Sequence, residues 1–143
     1  MKAQLLLSLI AIFMGISAVW AQQVPVQFDE LPAEAKVFIV NHFKSPFHHA
    51  IKEVLDRKIT YSAILEDNTE IEFTESGKWA EIDGEGKTIP YTFIQKQIID
   101  YVNIHYPKES ITRIELEKSR YETELSNGLN LKFDSRGTFV KMD

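Results

Sequence analysis

The sequence repeats itself at a fixed spacing of 60 residues. The matched positions are Tyr61 and Tyr121, Leu65 and Leu125, Phe73 and Phe133, Gly77 and Gly137, and Trp79 and Phe139. One offset shared by aromatic, leucine and glycine positions indicates a duplicated structural unit. The chain is therefore predicted to contain two copies of one unit, residues 31–83 and 89–143, joined by a linker at residues 84–88.

Each unit begins with a helical pattern and continues with alternating strands. Apolar residues recur at helical spacing over residues 33–43 and 91–106, and a proline follows each run. Polar and apolar residues then alternate between turn signals. These turn signals are Asp67-Asn68, Ser76-Gly77, Asn127-Gly128 and Arg136-Gly137. Because a unit of about 55 residues is too small for a sufficient core, we expect an α+β fold in which two helix-plus-four-strand antiparallel repeats form one eight-stranded sheet, with both helices on one face.

The first 21 residues are a different kind of segment. Lys2 precedes an uncharged run of 16 residues from Leu5 to Trp20, and Ala21 supplies a small residue for cleavage. This layout is typical of a secretory signal peptide, whereas a membrane span needs roughly 20 apolar residues. We expect cleavage after Ala21, no stable membrane insertion afterwards and a periplasmic or secreted chain; an uncleaved anchor is the alternative. Residues 22–30 are expected to form a flexible leader.

Composition excludes several classes of function. The 143 residues contain no cysteine, which excludes a disulfide framework, a thiol nucleophile and a lipidated N-terminal cysteine. Asp and Glu number 21 against 16 Lys and Arg, which argues against a nucleic-acid partner.

Candidate chemistry is sparse along the chain. Glutamates recur at period two, as a solvated strand face requires, whereas paired catalytic acids need a cleft and a set separation. No serine or threonine lies in a nucleophile-elbow context. We therefore expect no catalytic residue, no cofactor and no enzyme activity. His42, His48 and His49 lie within eight residues of one another, so a periplasmic small-ligand or metal carrier that uses this region is the alternative function. No metal site is assigned.

The repeated order Tyr-x-x-x-Leu, turn, Glu/Asn-x-x-Phe, Gly-x-Trp/Phe resembles the PepSY-like, β-lactamase-inhibitor-like domains of small exported Bacteroidetes proteins. The ten matched positions above carry the resemblance, and Leu31-Pro32 and Ile89-Pro90 add to it. The resemblance implies two helix-plus-four-strand repeats that form one concave sheet. It implies shape rather than activity, since the inhibitor type carries disulfides and no inhibitory residue set is recognisable in this chain.

One sheet face is expected to stay uncovered, because two helices can cover only the other. Wide sheet faces suit proteins or extended polymers better than small substrates. We therefore predict a binding module that recognises an unidentified protein or peptide through this face. The predicted partner-binding residues are Ile64, Glu66, Glu70, Glu72, Glu122, Glu124 and Lys132.

Overall fold

The structure, a computed structural model, describes residues 20–143, so residues 1–19 of the expected signal peptide lie outside the described residues. The described part contains two α-helices, α1 (Ala33–His42) and α2 (Lys96–His105), and a short 3-10 helix (Phe28–Glu30). Its nine strands are β1 (Gln22–Val26), β2 (Phe47–Leu55), β3 (Lys58–Leu65), β4 (Glu70–Thr74), β5 (Trp79–Asp83), β6 (Ile111–Glu117), β7 (Arg120–Leu125), β8 (Asn130–Phe133) and β9 (Phe139–Met142).

The nine strands form a single antiparallel sheet in which each strand pairs with the next one along the chain. The predicted α+β class is confirmed, but the sheet has nine strands instead of eight. The additional strand is β1, where the sequence predicted a flexible leader; it pairs with β2 over five residues. Pro25 lacks a backbone N–H, and an edge strand tolerates such a residue because its outer side needs no donor. The duplication itself stays a prediction.

Both helices pack into one hydrophobic core with alternate residues of the strands. Phe73 on β4 and Phe133 on β8 are fully buried. Phe38 of α1 meets Phe73 edge-on at 5.9 Å between ring centroids, and Tyr101 of α2 meets Phe133 at 5.6 Å. Apolar residues of α1, α2 and the strands belong to one buried cluster. The aromatic residues repeated in the sequence therefore pack in or against the core.

The helix α2 begins later than the pattern from residue 91 predicts. The backbone N–H of Ile111 donates to the Tyr91 hydroxyl at 2.8 Å, and the N–H of Ile89 donates to the Ile111 carbonyl at 3.0 Å. These bonds tie residues 89–91 to the start of β6. Helix α2 consequently begins at Lys96, after Gln95, whose amide donates to the Ser135 carbonyl at 3.0 Å.

Candidate functional site

The candidate site is the face of the sheet opposite the helices, which we call the open face. On β4, Ile71 and Phe73 are buried, while Glu70 is exposed and Glu72 is partly exposed. The same alternation on β8 buries Leu131 and leaves Lys132 partly exposed. The pleat of the sheet thus sends every second side chain away from the core.

Four glutamates lie side by side across the middle of the open face, and we call them the glutamate row. They occupy β4, β5, β6 and β7, and each is the direct cross-strand partner of the next: Glu72 with Glu81, Glu81 with Glu115, and Glu115 with Glu122. Like charges directly opposite one another destabilise a sheet. The row is therefore an arrangement that folding alone does not favour.

One arginine partly neutralises the row. The guanidinium of Arg113 donates to Glu81 Oε1 at 2.6 Å and to Glu115 Oε2 at 3.0 Å. The three side chains are between 27% and 33% exposed, so these ion pairs are only partly screened by water. Arg113 therefore offsets the negative charge of the two inner glutamates and forms no such ion pair with the outer two, Glu72 and Glu122.

Two of the four glutamates have perturbed pKa values. Partial burial, followed by the charge of Glu81, raises the pKa of Glu72 above its ordinary 4.5. Partial burial and the same neighbour also raise the pKa of Glu115, against the lowering effect of Arg113. Both shifts show that the charged form of these carboxylates is disfavoured in the folded chain.

The structure places the predicted partner-binding residues as follows. Glu122 and Lys132 are cross-strand neighbours on the open face, whereas Glu72 is separated from them by the two inner glutamates of the row. The Lys132 Nζ lies 3.7 Å from Glu122 Oε2 and 2.8 Å from Asp143 Oδ2. Ile64 and Glu70 face each other across β3 and β4, and the Ser62 hydroxyl donates to Glu70 at 2.5 Å.

The remaining two predicted residues lie nearer the ends of the strands. Glu124 lies opposite Arg113 on β6 and Asn130 on β8. Glu66 follows the end of β3, and its N–H donates to the Pro46 carbonyl at 2.9 Å.

The centre of the face was missing from the prediction. Glu81 and Asp83 on β5, and Arg113 and Glu115 on β6, occupy the two middle strands. The alternation around Ile82 and Ile114, both fully buried, is the signal that could have found them. These four residues complete the charged surface, and within it Glu81 and Glu115 are direct cross-strand partners.

Basic and acidic side chains mix at one corner of the open face. A groove of about 510 Å³ lies beside the β6–β7 hairpin. Its basic lining residues are Lys118, Arg120, Lys132 and Lys141, and its acidic ones are Glu115, Glu117 and Glu122. Val140, the additional residue of a bulge on β9, is 58% exposed beside them. The face therefore carries a charge pattern, acidic in the middle and mixed at this corner.

The three histidines of the alternative function are not gathered at one place. His42, at the end of α1, shares a hydrogen bond of 2.7 Å with the Thr92 hydroxyl. His42 also lines a cavity of about 600 Å³, and His48 and His49 are not among the residues that line it. Over residues 20–143 no group of three or more His, Asp or Glu side chains could hold a metal ion. Within the same range, no helix is both long and apolar enough to cross a membrane.

Comparisons with known proteins identify relatives of this chain. Residues 59–141 match the family model described as "Putative beta-lactamase-inhibitor-like, PepSY-like". A "putative periplasmic protein" of the DUF2874 family from Bacteroides vulgatus is 30% identical, with a TM-score of 0.80 over 85% of this chain and 97% of that chain. A search of curated proteins finds no match.

Two further solved structures are similar over the same share of this chain. A "putative calcium-regulated periplasmic protein" from Bacteroides thetaiotaomicron is 32% identical, with a TM-score of 0.81 over 85% of this chain and 96% of that chain. A "putative periplasmic protein of unknown function" from Bacteroides vulgatus is 33% identical, with a TM-score of 0.81 over 85% and 99%.

Proposed function

Because the chain belongs to the PepSY-like, β-lactamase-inhibitor-like family, we propose that it is an exported, non-enzymatic module that binds a protein or peptide partner through the open face. The family description names a likeness to an inhibitor and no reaction. The described relatives are periplasmic proteins, and this supports export of the present chain to the same compartment.

The observation that carries the proposal is the glutamate row. It places four carboxylates on adjacent strands, with Arg113 bonded only to the inner two, Glu81 and Glu115. Sequences keep such locally unfavourable arrangements mainly where function requires them. A partner that brings Lys or Arg side chains to the row would relieve the repulsion on binding. Electrostatic complementarity of this kind also speeds association and excludes wrong partners.

The edges of the sheet are poorly suited to binding a partner. A partner strand could add to an exposed edge, but edge prolines, lysines, bulges and short strands oppose such pairing. The β1 edge contains Pro25, and the four-residue β9 edge contains Lys141 and a bulge at Val140. This favours the face of the sheet over its edges as the binding surface.

The test is capture of the partner from a periplasmic extract by the tagged chain. The double variant Glu72→Lys, Glu122→Lys reverses the outer charges of the row. The matched control, Glu34→Lys with Glu75→Lys, changes the net charge equally at exposed positions on α1 and in the β4–β5 turn. We expect the first variant to lose the captured partner and the control to keep it, with circular dichroism verifying that both variants are folded.

Two results would count against the proposal. Capture that survives charge reversal in a folded Glu72/Glu122 variant would remove the open face from the binding site. Equal loss in the Glu34/Glu75 control would show that net charge, and no particular surface, governs capture. Cell fractionation checks the compartment, with the mature chain expected in the periplasmic fraction.

A further inference from the structure

A β-bulge at the start of β2 brings two histidine rings together. Phe47 pairs with Leu65 and His49 with Ile64, so His48 is an additional residue without a cross-strand partner. Neighbouring residues on a regular strand point to opposite faces, yet His48 and His49 are both exposed, and their Nδ1 atoms lie 2.6 Å apart. Bulges commonly redirect a side chain in this way, often beside functional sites.

We propose that His48 and His49 form a bidentate binding site for a divalent copper ion. Two imidazole nitrogens at this separation either share a proton or coordinate one ion through their lone pairs. The pair is separate from His42, which bonds to Thr92 at the other end of the α1–β2 connection. The site is also separate from the glutamate row, which contributes no ligand to it.

The chemistry of the two ligands favours one kind of ion. The Nδ1 atoms of His48 and His49 lie 2.6 Å apart, within hydrogen-bond distance, so a small rotation of the exposed rings lets both nitrogens reach the same ion. Cu²⁺ accepts nitrogen ligands at adjacent tetragonal positions and binds them most tightly among the divalent first-row ions.

The surroundings of the pair leave room for the other ligands of the ion. Both rings are exposed, so water completes the coordination without displacement of protein groups. Glu66 is held beside the segment that leads into β2 by the bond from its N–H to the Pro46 carbonyl. Its carboxylate adds negative charge on this side of the sheet, which favours a cation.

The experiment is a Cu²⁺ titration of the purified chain against a competing chelator, together with electron paramagnetic resonance of the Cu²⁺ complex. We expect His48→Ala and His49→Ala each to weaken Cu²⁺ binding by about tenfold or more. The matched controls, His42→Ala and His105→Ala, should change it less than about twofold. The spectrum should show coupling to both imidazole nitrogens in the parent chain and to one in each single variant.

Other outcomes would overturn the site. Equal effects of all four substitutions would show unspecific binding to surface histidines. Loss of binding in only one of the His48 and His49 variants would exclude a chelate. Because both side chains are exposed, the variants should melt as the parent chain does, and circular dichroism verifies this before titration.

Discussion

Replacing Glu72 by glutamine should stabilise the folded chain at neutral pH. Glu72 lies directly opposite Glu81, and its other cross-strand partner, Ser62, is neutral. A directly opposed like-charge pair costs roughly 0.2–1 kcal/mol, and the substitution also removes the penalty for partial burial of the charge. We expect E72Q to raise the free energy of unfolding by about 0.5–1 kcal/mol, or Tm by roughly 2–5 °C for a domain of this size.

The expected gain depends on pH in one direction. The pKa of Glu72 is raised above 4.5 in the folded chain, so the folded state binds this proton more tightly than the unfolded state between the two pKa values. In the parent chain, the cost of the charged Glu72 side chain therefore disappears as the pH falls through the raised pKa toward 4.5. The advantage of E72Q should be complete at about pH 7 and absent at about pH 4.

Urea unfolding at both pH values, followed by far-ultraviolet circular dichroism, measures this difference. The matched control is E124Q, since Glu124 lies on the same face but opposite Arg113 instead of another acid. The control should gain nothing at neutral pH. A gain for E72Q that is equal at both pH values, or a similar gain for E124Q, would refute the assignment of the penalty to like charges in the row.

Three further substitutions test the packing and the charge balance. Gly77→Ala should lower the free energy of unfolding in urea by about 2 kcal/mol, because a Cβ there would lie 3.0 Å from a backbone nitrogen of α1. Gly128→Ala, which has open space around it, should lower this free energy less. Gln95→Ala should lower the free energy of unfolding by about 1 kcal/mol, because the Gln95 amide donates a hydrogen bond of 3.1 Å to the Tyr121 hydroxyl. A double-mutant cycle with Tyr121→Phe should show that the two substitutions are energetically coupled. Arg113→Gln should lower the free energy of unfolding by about 1.5–3 kcal/mol at neutral pH, and by less once the pH falls through the raised pKa of Glu115 and neutralises that carboxylate.

The hairpin turns show what local sequence can predict. Asn68 and Gly128 adopt positive φ in the turns where the sequence places them, because asparagine and glycine tolerate that conformation. The turns at Asp56-Arg57 and Lys118-Ser119 also have positive φ, but their residue types give little warning. Pairing along the long flanking strands holds these turns in place, and such tertiary constraints are invisible in a short window of sequence.

The candidate site was predicted in part for a similar reason. Alternation along a strand assigns Glu72 and Glu122 to the open face, and the structure agrees. Which strands become neighbours is decided by the pairing of β5 with β6, two strands that are separated by α2. Only that pairing places Glu81 beside Glu115 and within reach of Arg113. Charge repulsion across the middle of the sheet is therefore a property of the assembled fold.

The sequential order of the strands has a consequence for folding kinetics. All eight strand pairs join consecutive strands, and six of them are connected by short turns whose closure is fast. The two exceptions are β1 with β2, joined through residues 27–46 and α1, and β5 with β6, where the longer segment from residue 84 to residue 110 must close as one loop. In synthesis from the N-terminus, the six turn-linked pairs can thus form as their strands appear, and we expect closure of the longer β5–β6 connection to set the folding rate.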